Sequence, residues 1–363
     1  MRRLFAAPKW IGSALILSLL VLTLTATARA ADAAQTPDAN QDIVRKINEY
    51  MEALVKAGKF NGSLLIARDG KVLVSRGYGM SNFELDVPNS PQTKFRIGSI
   101  TKAFTAMAIM LLQQQEKLSV QDSICKYVSE CPAGWQPITL HHLLSHTSGL
   151  AKHDKAGDYL KTAMMPMSVM QLIDSFKNKP ADFKPGEKFD YNNNGYILLG
   201  YVIEKASGQS YEAFLRQNIF VPLGMINTGY DLHDPVIKNR AAGYVRPDDR
   251  VGGALMNAVY TDQSQPFSAG ALYSTTEDLL RLDQALHANN LLSHKTQEAM
   301  FTPAFGQYGP ALNYGYGWFV NQQFNRRATS HPGGVPGFTS MITRFSDDKV
   351  VIILLGNLEN SQV

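Results

Sequence analysis

The sequence predicts an α+β fold in which an antiparallel sheet drawn from both ends of the chain carries an inserted helical region. Three observations predict it. Two short alternating apolar runs flank Asp69-Gly70 near the start, and a second pair flanks Ser346-Asp-Asp-Lys349 near the end. Between them, apolar residues recur mostly at helical spacing. Hairpins at opposite ends of a chain are most simply satisfied by pairing with each other, which leaves the helices as an insertion. The 363 residues, 45% apolar and 10% aromatic, are ample to bury a core and exclude a disordered or collagen-like chain.

The elements follow in order. Residues 1–30 read as a secretory signal, to be removed on export to a periplasm or the medium. Arg2, Arg3 and Lys9 precede the apolar run 11–25, and Ala28-Arg29-Ala30 is a small-x-small cleavage pattern. The apolar run is shorter than the roughly 20 residues that a membrane span needs, so no stable span is expected after cleavage. Residues 31–40 read as a flexible leader, and 41–363 as a single catalytic domain. Its sheet region is 41–98 and 300–363, and its helical region 99–299. Within the sheet region we expect a helix over 41–58, strands at 63–68 and 71–76, and the closing strands 338–345 and 350–355. Helices are expected over 101–115, 195–206 with Gly208 as terminator, and 276–286.

Charge and cysteines narrow the function. Four of the 35 basic residues lie in the first thirty positions, which hold no acid, so the remainder carries 31 bases against 31 acids. A balanced body without basic runs gives no reason to expect nucleic acid as a partner. Cys125 and Cys131, six apart, could close a local disulfide in an oxidising compartment. Neither has the histidine or helix-start setting of a nucleophile.

Several chemistries are absent from the sequence. It has no G-x-S-x-G elbow, no G-x-x-x-x-G-K-[ST] phosphate loop and no G-x-G-x-x-G. His142 and His146 have the spacing of a zinc helix, but Leu143 stands where that motif needs its glutamate. We therefore expect no metal, and assign His141, His142 and His146 to packing and hydrogen bonding around the turn His146-Thr-Ser-Gly149. The pattern S-x-x-K occurs at Ser99/Lys102, Ser123/Lys126 and Ser346/Lys349. Ser346 lies in a hairpin turn and Ser123 beside the cysteine pair. Ser99 alone opens a long apolar helix. It reads either as an ordinary N-cap or as a nucleophile. Spacing of three puts Lys102 on the same face, and the unpaired N–H groups of a helix start suit a developing oxyanion. A lysine among Ala, Phe and Met has no reason to be buried unpaired.

Phe95-Arg-Ile-Gly-Ser99-Ile-Thr-Lys102 resembles the nucleophile segment of the penicillin-recognising serine hydrolases, closest to class C β-lactamases, DD-peptidases and related esterases. Tyr191-Asn-Asn193 is the sole Y-x-N and His331-Pro-Gly333 the sole H-x-G, and both come in the order of that family. The stretches 138–149, 195–200 and 270–278 add to the likeness, which covers roughly residues 45–357. The resemblance implies a β-lactamase/DD-peptidase-like fold. It implies covalent acyl transfer through Ser99, with Lys102 and Tyr191 moving the proton and no cofactor. Asn193 would bond the substrate amide, while Gly333 and Gly334 would let its backbone approach. The N–H groups of Ser99 and Gly334 would form the oxyanion hole. His331 stands where β-lactamases usually carry Lys. It would anchor a carboxylate less firmly, which leans toward a peptidase, amidase or esterase.

The expectation is thus a serine hydrolase acting on D-Ala-type peptides, amides or β-lactams. A small-ester carboxylesterase and a non-hydrolysing peptidoglycan or β-lactam sensor are the alternatives. The partner is a small-molecule or peptide substrate; no feature of the sequence specifies an oligomeric state. The family continues past its last strand into a helix that packs on the sheet. Here Leu358-Glu-Asn-Ser-Gln-Val363 is too short for one, so the sequence is cut short or another element must cover that face.

Overall fold

The structure, a computed structural model, describes residues 37–152, 163–246, 254–304 and 313–363. The expected export signal lies outside the described residues. The expected leader is corrected at its end, because helix α1 (Pro37–Lys56) already begins at Pro37, a residue suited to a first helical turn. Gly58, at φ +66°, closes α1 while Lys59 N–H returns to the Leu54 carbonyl.

The strands that frame the site are β1 (Gly62–Arg68), β2 (Lys71–Tyr78), β3 (Phe95–Arg96), β4 (Gly229–Tyr230), β5 (Leu272–Ser274), β6 (Phe319–Gln323), β7 (Arg326–Val335), β8 (Phe338–Phe345) and β9 (Val350–Gly356). Asp69 (φ +50°) and Gly70 (φ +72°) both adopt the positive φ that the tight turn between β1 and β2 demands. The main sheet runs β6-β7-β8-β9-β1-β2, antiparallel throughout. The two ends of the chain meet at its centre, where Leu65 of β1 stands opposite Ile353 of β9. A small sheet, β3-β5-β4, lies beside it, so the expected helical region contributes strands of its own.

One expectation is corrected here. His331-Pro-Gly333-Gly334, expected to precede the strand at 338, lies inside the ten-residue strand β7. Proline is tolerated because β6 pairs with β7 only as far as Ser330. Beyond that point β8 is the one strand partner of β7 among the described residues, so no central ladder is broken.

The sheet is buried on both faces. Leu65, Ile342, Val351, Ile353 and Leu355 face the helices. They include α2 (Thr101–Gln114), α3 (Leu140–Leu144), α4 (Asn193–Ser207), α5 (Phe267–Gly270) and α6 (Thr276–Ala288). The helix at α4 starts two residues earlier than expected and ends on Gly208 in the left-handed conformation, as expected. On the same face, buried Arg344 of β8 meets Asp283 of α6 at 2.6 Å, its guanidinium over the rings of Phe301 and Trp318. On the opposite face Leu64, Ile66, Met341, Phe345, Ile352 and Leu354 pack with Ile47 and Met51 of α1. Helix α1 thus covers this face, although Val72 of β2 stays half exposed. Cys125 and Cys131 are joined, with Cα atoms 5.3 Å apart.

Candidate active site

Sequence left Ser99 open between a helix cap and a nucleophile. The hydrogen bonds of Ser99 are not those of a cap. Ser99 lies in a single 3-10 turn, Gly98–Ile100, and neither that turn nor α2 has a side-chain cap. Its Oγ instead accepts from Lys102 Nζ at 3.1 Å. The other two S-x-x-K pairs are spent elsewhere. Ser123 caps a short turn while Lys126 pairs with Asp122, and Lys349 pairs with Asp69 of the neighbouring hairpin turn.

Lys102 is completely buried. Its Nζ also donates to Asn193 Oδ1 at 2.9 Å and to the Ala269 carbonyl at 2.8 Å, so it has as many acceptors as an ammonium has protons. Nζ lies 4.8 Å from the centre of the Tyr191 ring and 5.5 Å from that of Tyr196. Three oxygens and two aromatic faces thus surround the Nζ of this buried lysine, the groups that stabilise an ammonium.

Three consecutive asparagines deliver Tyr191 and Asn193. Asn192 accepts from Asn194 N–H as N-cap of α4 and donates to the Leu150 carbonyl. Asn194 Nδ2 donates to the Ala151 carbonyl at 2.7 Å. With both neighbours tied down, Asn193 is left to face Lys102. Tyr191 is partly accessible beside Ser99. Burial raises its phenol well above the ordinary range, and a hydrogen bond with Ser99 opposes the rise.

Strand β7 comes within backbone contact of the Ser99 turn, and glycines make this possible. A Cβ on Gly333 would lie 2.0 Å from the Ile97 carbonyl, and one on Gly98 2.6 Å from Gly334 N. Ser340 Oγ donates to the same Ile97 carbonyl at 2.8 Å, fixing the turn against β8. Gly334 is exposed at the edge of the cleft.

His331 is close to the site but enclosed, its ring centre 6.2 Å from that of Tyr191. Its side chain is fully buried, Nε2 2.9 Å from Tyr314 Oη and Nδ1 2.6 Å from the Pro332 carbonyl. A ring whose Nδ1–H donates to a carbonyl must accept at Nε2, so Tyr314 donates to it. Burial and the Lys102 charge lower the imidazolium pKa to about 3. Its β7 side chain points into a shell of aromatic rings. Sequence reasoning also missed that shell, Tyr196 and Tyr314, and the Ala269 carbonyl. Tyr196 carried a signal in its place one turn beyond the Y-x-N, whereas Ala269 acts through its backbone and leaves none.

The arrangement joins a hydroxyl, a buried ammonium, a phenol and two glycine-lined backbone segments around one oxygen, Ser99 Oγ. Such a set of groups can support nucleophilic acyl transfer. A family model described as Beta-lactamase matches residues 44–363. Penicillin-binding protein 4* of Bacillus subtilis is 31% identical over 87% of this chain and 72% of its own length. A teichoic acid D-alanine hydrolase of Staphylococcus aureus is 29% identical, over 87% of this chain and 74% of its own. The crystal structure of a penicillin binding protein from Bacillus halodurans superposes with a TM-score of 0.78 at 26% identity, over 86% of this chain and 96% of that one. The chain belongs to the Beta-lactamase family and is a serine hydrolase.

Proposed function

We propose, from that membership, that the protein hydrolyses D-alanyl amides and esters through an acyl-enzyme on Ser99, preferring substrates whose leaving group bears no carboxylate. The observation that carries the mechanism is the bridge from Lys102 Nζ to both Ser99 Oγ and Asn193 Oδ1. The three protons of the ammonium already have acceptors, so the hydroxyl proton of Ser99 is directed at Tyr191. As Oγ attacks the substrate carbonyl, Tyr191 takes that proton and hands its own to the departing nitrogen or oxygen. The nearby Lys102 charge stabilises any phenolate character on the way. The N–H groups of Ser99 and Gly334 receive the oxyanion, and Asn193 orients the substrate amide. Water then attacks the acyl-enzyme by the reverse relay, with no metal or organic cofactor.

The leaving-group preference rests on His331. A β-lactam or a D-Ala-D-Ala terminus presents a carboxylate, and the residue in the anchoring position is a buried neutral ring with both nitrogens engaged. The name of the staphylococcal relative, a D-alanine hydrolase, agrees with this choice. Export fits residues 1–30 and the joined Cys125–Cys131.

The test compares D-alanine p-nitroanilide, its L-enantiomer, a D-Ala-D-Ala peptide and penicillin, with Ser99→Ala as control. Intact-mass spectra are taken during turnover. The expected result is a Ser99-dependent acyl adduct and kcat/KM at least about tenfold higher for the anilide than for the D-Ala-D-Ala peptide. A reversed preference would overturn the leaving-group claim, a persistent penicillin adduct without turnover would make the protein a sensor, and no adduct at all would remove Ser99 from its role.

A further inference from the structure

The mechanism does not use His146, yet the fold accepts two costs to place it. His146 adopts φ +59°, a left-handed backbone that non-glycine residues avoid. Its side chain is 1% exposed, and among the described residues Nε2 has no hydrogen-bond partner. A buried N–H without an acceptor is destabilising, and such groups persist where the surroundings over-determine them.

The surroundings in this case are Tyr191. The His146 carbonyl accepts from Asp190 N–H at 2.8 Å, and His146 Nδ1 accepts from Asn192 N–H at 3.1 Å. One residue therefore grips the peptide groups on both sides of Tyr191. Its ring also lies against the phenol, centres 4.3 Å apart and planes tilted by 38°. Because Nδ1 accepts, the proton sits on Nε2, among the rings of Tyr191, Tyr196 (5.0 Å) and Tyr314 (4.7 Å). Burial, helped by the charge of Lys102, holds the imidazole neutral, and neutrality keeps Nδ1 an acceptor.

We propose that His146 is a positioning residue for the acyl-transfer reaction, holding the Tyr191 phenol at Ser99 by clamping the chain on either side of it and stacking on its ring. The inference rests on the reading of Tyr191 as the proton carrier. The left-handed turn is what lets one residue present both its carbonyl and its ring to the same loop. A relay across two hydroxyls is sensitive to small displacements, so loosening the phenol should slow chemistry more than binding.

Two variants separate the two halves of the clamp. In His146→Asn, Oδ1 occupies the place of Nδ1 and the left-handed backbone is tolerated, but the ring is gone. His146→Phe keeps the ring and loses the acceptor. With D-alanine p-nitroanilide, each is expected to lower kcat about 10- to 100-fold while KM stays within about threefold. Thermal unfolding by circular dichroism establishes which variants are folded; if the Phe variant is not, the Asn variant carries the test. The decisive measurement is the cycle with Tyr191→Phe, in whose background His146→Asn should cost less than about threefold further. A residue that serves only the fold would impose its full factor in both backgrounds, and that result overturns the inference alone. Wild-type kcat in His146→Asn also overturns it. Wild-type kcat in Tyr191→Phe would remove the proton carrier itself and overturn both readings.

Discussion

Acid should destabilise this protein well above the carboxylate range, and His331 is the residue to follow. Its imidazolium pKa is lowered from 6.5 to about 3, first by burial and then by the Lys102 charge. Between those values the unfolded chain binds one more proton than the folded one, so stability is lost as pH falls. At pH 5, a site that titrates near 6.5 when unfolded and remains neutral when folded costs about 2 kcal/mol. The loss is negligible at pH 8 and deepens toward the folded value. His146, whose pKa is depressed for the same causes, adds to the loss in the same direction. The perturbation that isolates His331 is His331→Gln, because glutamine Oε1 can accept from Tyr314 where Nε2 does now. Urea unfolding followed by circular dichroism at pH 8, 7, 6 and 5 supplies the free energies. The native protein should lose about 2 kcal/mol more than the variant between pH 8 and 5. Parallel pH profiles would mean that His331 already titrates normally in the folded state, and its enclosure by Tyr314 and Pro332 would be refuted.

Two further outcomes follow from the packing. Gly333→Ala should push β7 away from the Ser99 turn, since the new Cβ would sit 2.0 Å from the Ile97 carbonyl and 2.3 Å from Ser340 Oγ. Ester or anilide turnover should fall about 100-fold or more, and steady-state kinetics retaining native kcat/KM would show that the strand contact is dispensable. Asp283→Ala should cost about 3–5 kcal/mol in urea unfolding, because it strands the buried Arg344 guanidinium without its partner. A cost under about 1 kcal/mol would mean that water reaches the pair.

The legible parts of the fold were those with local causes. Asp69-Gly70 demands positive φ at both positions wherever it joins two strands, and Gly208 ends α4 in the left-handed conformation. The pairing of the two chain ends followed from economy of connection. Strand β7 was hidden because His331-Pro-Gly-Gly has the composition of a turn. Its extended form is imposed by β8 on one side and by the Ser99 turn beneath it. No pattern of hydrophobicity records a strand built from glycines to let backbone approach backbone.

The same division runs through the site. Residue identity at a spacing of three nominated Ser99 and Lys102, and the family resemblance carried by Y-x-N and H-x-G added Tyr191, Asn193, Gly333, Gly334 and His331. Which of these surround one oxygen, and which carry charge, depends on burial and on partners remote in sequence. Asn193 reaches Lys102 across 91 positions and Ala269 across 167. His331 is turned by its strand into an aromatic shell that lowers its proton affinity, and His146 stands where two N–H groups of another loop require an acceptor. The sequence determined which chemical groups were available. The low dielectric and fixed distances of the packed chain decided which of them meet and which way their proton affinities shift.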